Sequence, residues 1–106
     1  MVEGKDTVAF LEAALSELGL SEREANEFII YWLPRMENYP FYLVQFVTNE
    51  YNRRVPLDVS PPPDTLIRVF MVFNALNKPV EIEAQELKHV DRHGFTGVEW
   101  GGTELR

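Results

Sequence analysis

The chain has no cysteine among its 106 residues, which excludes disulfide staples, thiolate metal ligation and a cysteine nucleophile. Positive charge is also scarce: 10 Lys and Arg stand against 17 Asp and Glu, for a formal charge of −7. Binding to a phosphate backbone is driven by clustered cations, so no nucleic-acid partner is expected. No uninterrupted apolar run approaches the ~20 residues that cross a bilayer, and residues 1–6 hold no apolar signal core. No membrane partner is expected either. Gly101-Gly102-Thr103 lacks the Lys-Ser/Thr of a phosphate loop and opens no helix, and no cofactor motif stands elsewhere.

The acidity is uneven. Residues 1–38 hold 8 acids against 3 bases, residues 39–106 hold 9 against 7, and the first part is the helical one, where such charge forms a solvated face. At this length the chain is a single domain able to bury about two-thirds of its unfolded surface.

The most informative segment is the run from Thr65 to Ala75. Successive strand side chains point to opposite sides, so Ile67, Val69, Met71 and Phe73 form one apolar face while Leu66, Phe70 and Val72 form the other. Both faces ask to be covered. An antiparallel sheet in a small domain wets one face, and this chain has helices enough for one layer, so the second face is expected to dock onto other protein.

Those helices are legible at the amino terminus. Val8, Leu11, Leu15 and Leu18 recur at three- and four-residue steps, predicting a helix over 7–18 with Asp6 as N-cap and Gly19 at the left-handed C′ position. Ser21 and Glu24 form a capping box that restarts the chain as a second helix with Ala25, Phe28, Ile29, Trp32, Leu33 and Met36 on one stripe. Pro34 removes an N–H and clashes with the preceding turn, so the regular helix is expected to stop or kink there. From Tyr39 the period falls to two, with Tyr42, Val44 and Phe46 on one face of a strand. Residues 49–53 read as a turn, residues 55–59 as a short edge strand, and Pro61-Pro62-Pro63 as a stiff corner. Asn77-Lys78-Pro79 marks a turn, residues 80–87 are extended and acidic, residues 89–94 are loop, and a last strand from Phe95 to Trp100 ends in a Gly-Gly exit. The predicted architecture is α+β: an N-terminal helical hairpin on one face of an antiparallel sheet of about four strands, with the 65–75 strand central.

His89, Asp91 and His93 form the one cluster with metal-ligand chemistry, but a loop setting and the lack of a third ligand favour exposed polar residues. Glu81, Glu83, Glu86, Asp58 and Glu99 offer carboxylate pairs of the kind that divide acid and base roles, though any acidic domain does so. Ser16 is mid-helix, Ser21 is committed to capping, and Ser60 precedes prolines without a glycine elbow. Tyr31, Trp32, Tyr39, Phe41 and Tyr42 gather where helix gives way to strand, and are read as core rather than as a ligand pocket.

Three stretches carry a resemblance: Glu27-Phe28-Ile29-Ile30-Tyr31-Trp32-Leu33-Pro34, Pro63-Asp64-Thr65-Leu66-Ile67-Arg68-Val69-Phe70-Met71, and Phe95-Thr96-Gly97-Val98-Glu99-Trp100-Gly101-Gly102. Together they resemble a domain found towards the end of uncharacterised, often secreted or surface-associated microbial proteins, where it follows a β-rich segment. The resemblance implies a terminal module, exported with its parent chain, whose second sheet face meets that preceding segment. It brings no catalytic residue and no cofactor, and it does not include His89 and His93.

The expected function is therefore a non-catalytic interaction module that docks onto an adjacent domain or a protein partner through Leu66, Phe70, Val72, Tyr42 and Phe46, with self-association as one form of such docking. The alternative is a small metal- or carboxylate-dependent hydrolase built on His89, Asp91 and His93 with a carboxylate such as Glu99. A register shift of one residue would exchange the two faces.

Overall fold

The computed structural model describes residues 1–47 and 65–105. The turn expected at 49–53, the short strand at 55–59 and the proline corner at 61–63 lie outside the described residues. Within them the fold is α+β: strand β1 (Val2–Glu3), helices α1 (Thr7–Glu17) and α2 (Glu22–Trp32), and strands β2 (Phe41–Val47), β3 (Thr65–Leu76) and β4 (Thr96–Leu105). The strands lie in the order β1-β2-β3-β4, which makes β3 central as expected.

The helical hairpin follows its sequence signals closely. Ser21 accepts from the Glu24 N–H (3.2 Å) and the Glu24 carboxylate accepts from the Ser21 N–H (2.7 Å), closing the capping box. Between the helices Gly19 stands at φ +97°, the left-handed geometry that lets the N–H of Leu20 reach the Leu15 carbonyl (3.0 Å). Two details differ from expectation. Asp6 occupies the N-cap position of α1 but makes no side-chain cap, because a 3-10 turn over Gly4–Asp6 precedes the helix and Thr7 bonds back to the Gly4 carbonyl (2.8 Å) instead. Val8 faces solvent; the buried stripe of α1 is Thr7, Leu11, Ala14 and Leu15. After Trp32 the chain tightens into a 3-10 turn, Leu33–Arg35, in which Pro34 needs no helical donor, and Met36 is then fully enclosed.

The sheet is mixed. β1–β2 and β2–β3 are antiparallel, whereas β3 and β4 run parallel over Thr65–Thr96 to Asn74–Leu105. A parallel pair needs a long return, and residues 77–95 supply it. This connection follows the β2 edge and then the ends of the helices: the Gln85 amide exchanges two hydrogen bonds with the backbone of Phe46 (2.9 and 2.8 Å), the Val90 N–H donates to Glu17 (3.1 Å), and Arg92 reaches the Gly19 carbonyl (3.2 Å). Gln85 thus does for β2 what a neighbouring strand would do, beyond the point where the two-residue β1 stops.

One face of the sheet is the core. Tyr42, Val44, Phe46, Ile67, Val69, Met71 and Phe73 are buried together with the inward residues of both helices. The pairing Val44–Phe73 and Phe46–Met71 puts these side chains on the same side, because residues directly opposite one another share a face. Trp32 lies edge-on to Phe73 (5.8 Å between ring centroids), and Phe28 packs edge-on to Trp100 (5.1 Å). Of the aromatic residues at the helix-to-strand junction, all read as core from the sequence, Trp32 and Tyr42 are buried and Phe41 is half-buried, whereas Tyr31 and Tyr39 are exposed; the Tyr42 hydroxyl accepts from the N–H groups of Asn38 and Tyr39 (3.0 and 3.1 Å).

Arg92 fastens the 77–95 connection to the hairpin by pairing with both carboxylate oxygens of Glu24. Burial alone would raise the Glu24 carboxyl, but the Arg92 hydrogen bond and those from Ser21 outweigh it, so the group titrates below the ordinary range. A depressed carboxyl stabilises the fold above its unfolded value of about 4.3. That contribution fades as the pH falls through the lower folded value. Melting followed from pH 7 to 3 should therefore show a loss of stability attributable to this pair, smaller in high salt. Glu24→Gln, which preserves the capping box, should abolish that part of the pH dependence.

Candidate sheet-face interaction site

The second sheet face is built by the alternate residues of the same strands. Leu66, Arg68, Phe70, Val72 and Asn74 of β3 lie opposite Leu43, Gln45 and Val47 of β2 on one side and Gly97, Glu99, Gly101 and Thr103 of β4 on the other. Leu66 is 37 % exposed, and Leu43, Val47, Phe70 and Val72 are half-buried. Gly101 presents no side chain here, so the Phe70 ring lies over the β4 backbone, where an added Cβ would stand 3.7 Å from it.

Tyr42 and Phe46 are not part of this face. They are 0 % and 4 % exposed and belong to the core side, so their assignment to partner contact is corrected. The alternation within β2 groups Tyr42, Val44 and Phe46 correctly, but which face of β3 they join is fixed by the inter-strand register. The partner-facing set expected from the sequence thus divides: Leu66, Phe70 and Val72 share the second face, and the two β2 residues lie on the other.

Nor is the face continuously apolar. Arg68 stands in its middle, only 3 % exposed, with its Nε 3.2 Å from the Glu99 carboxylate directly across the β3–β4 ladder. A buried guanidinium needs such a carboxylate, since an unpaired charge out of water costs several kcal/mol. The apolar reading of β3 passed over this pair, although an arginine amid a run of large apolar residues is itself a signal for an acidic partner.

An open cleft of about 570 Å³ lies where Leu66 to Val69 meet Gln85 to Asp91. His89 sits on its wall, exposed, with Nε2 3.1 Å from Asp91 and Nδ1 3.6 Å from Glu17. His93 is engaged through its backbone instead: its N–H donates to the Thr65 hydroxyl (2.9 Å), and its carbonyl accepts from that hydroxyl (3.1 Å). Among the described residues no three His, Asp or Glu side chains gather as a metal-binding group. Glu81, Glu83 and Glu86 are exposed along the connection, Glu99 is on Arg68, and Asp58 and Ser60 lie outside the described residues. Ser21 is the N-cap of α2. No described helix is long and apolar enough to cross a membrane.

Comparison of the chain with family models, with curated proteins and with solved structures gave no match.

Proposed function

We propose that the chain is a non-catalytic interaction module whose second sheet face docks onto an adjacent domain or a protein partner. The observation that carries this reading is the division of β3: one side is sealed by the helices, and the other keeps Leu66, Phe70 and Val72 only partly covered, beside Leu43 and Val47. Apolar area of this kind gains about 25 cal/mol for each Å² removed from water, so a partner that covers it is favoured. The Arg68–Glu99 pair in the middle gives orientation, since a partner must leave it satisfied. The resemblance supports the same picture, with the module at the end of an exported parent protein and a preceding β-rich segment as its partner. The parent reading frame, with or without an export signal and such a segment, tests that part directly.

The face itself is tested with a neutral apolar probe such as Nile red and amide chemical shifts of the folded chain. Saturable binding is expected, with shifts confined to residues around Leu43, Val47, Leu66 and Val72. Leu66→Ser with Val72→Ser should reduce binding at least about tenfold, equivalent to 1.4 kcal/mol. Undiminished binding by a folded double variant, or shifts elsewhere, would refute the assignment.

A further inference from the structure

We infer that β4 is a self-pairing edge, through which two copies of this chain join into one continuous sheet. Among the described residues the two edges of the sheet are treated differently. On the β2 side, the short β1 and the Gln85 amide occupy the outward backbone groups. On the β4 side, the Thr65 N–H donates to the Phe95 carbonyl (3.2 Å), which fixes the phase of the parallel ladder. Odd-numbered residues of β4 then turn their backbone groups towards β3, and Thr96, Val98, Trp100 and Gly102 turn theirs outwards. Among the described residues no strand pairs with these groups. The ten-residue β4 also contains no lysine, no proline and no bulge, three of the usual means of blunting an edge, and its charges are confined to Glu99 and Glu104.

The occupant that fits is a second copy running antiparallel about a two-fold axis at Trp100. Outward residues then face outward residues: Trp100 meets Trp100 of the other copy and Val98 meets Gly102, each pair exchanging two backbone hydrogen bonds. On the opposite face Glu99 meets Gly101 and Gly97 meets Thr103, so each bulky side chain stands against a small one and no two carboxylates are directly opposed. Tyr31 flanks this edge, with its ring 5.7 Å from Trp100 and 47 % exposed, and adds apolar contact beside the axis. Both copies carry −7, so pairing should strengthen with salt.

Sedimentation of the full chain across concentration, together with amide exchange, tests this. A mass of twice 12.3 kDa should appear as concentration rises. The dissociation constant should tighten several-fold between roughly 0.05 and 0.5 M salt. Exchange at the Val98, Trp100 and Gly102 amides should slow at least about tenfold in the dimer, as expected for newly bonded edge groups. Val98→Pro, which removes an outward donor that no described residue accepts, should remain monomeric with unchanged circular dichroism. A chain still monomeric at ~1 mM, where even weak association is visible, overturns the inference. So does a dimer in which those three amides keep their monomer exchange rates, and protection at Leu43 and Leu66 instead would place the contact on the sheet face. Since the exchange measurement uses the unaltered chain, the inference stays testable even if Val98→Pro fails to fold.

Discussion

Replacing Phe73 by alanine should bring the domain close to unfolding, whereas Leu66→Ser, seven residues earlier on the same strand, should hardly alter its melting. Phe73 is 0 % exposed and is wedged between the Trp32 and Tyr42 rings, at 5.8 and 6.1 Å between centroids. Truncating such a side chain loses the transfer energy of the ring and leaves a cavity, at about 3–5 kcal/mol. A domain of this size has about 5–15 kcal/mol in all, and each kcal/mol lowers the midpoint by about 4 °C. The expected fall is therefore on the order of 15 °C. Leu66 is already 37 % exposed and lies on the opposite face, so its replacement should cost about 1 kcal/mol or less. Thermal melts of the two variants beside the parent chain decide it. Equal destabilisation would mean that both faces of β3 are core, which would remove the basis of the docking proposal.

Gly102→Ala should also be damaging, though less so, for the opposite reason, too much volume rather than too little. A Cβ at this position would stand 2.7 Å from the Met71 carbonyl oxygen and 2.9 Å from Cζ2 of Trp32, both closer than real Cβ contacts come. Met71 is backbone in the central strand and cannot give way, so the Trp32 indole must move. Trp32 in turn packs against Phe28, Tyr31 and Phe73, and the disturbance therefore spreads through the core aromatics. Overpacking of this kind costs about 1–3 kcal/mol. Loss of near-ultraviolet dichroism from Trp32 with preserved far-ultraviolet signal is the expected signature. Gly101→Ala is the control: its Cβ would meet Phe70 at an ordinary 3.7 Å, and its effect should be small.

Gly101 and Gly102 also mark where local reading of the chain gives out. Two adjacent glycines are depleted in strands and read as an exit after Trp100, yet β4 continues through them to Leu105. Nothing nearby in sequence signals that the second glycine makes room for a tryptophan 70 positions earlier. The parallel pairing of β4 has the same origin. Strand patterning is blind to direction, and direction here depends on the path of residues 77–95 past Phe46, Glu17 and Gly19. That path is held by Gln85 and Arg92, two polar side chains whose partners lie far off in sequence. β1 is too short to pattern at all; its two residues are strand because the edge of β2 at Phe41 and Tyr42 lies beside them.

What the chain determined by itself was everything carried by short-range periodicity and capping: the α+β class, the hairpin with its Ser21–Glu24 box, the break at Pro34, the strand cores of β2 and β3, and the two-sided character of β3. These depend on interactions within about four residues or on alternation along one strand, which the order of amino acids states directly. The tertiary structure decided which faces join, in which register and in which direction. It moved Tyr42 and Phe46 from the expected docking face to the core, set Arg68 against Glu99, and carried β4 through Gly101 and Gly102. The physical reason is common to all three: they are settled by the pairing of one strand with another and by volume shared between distant side chains, and neither quantity is a property of any single segment.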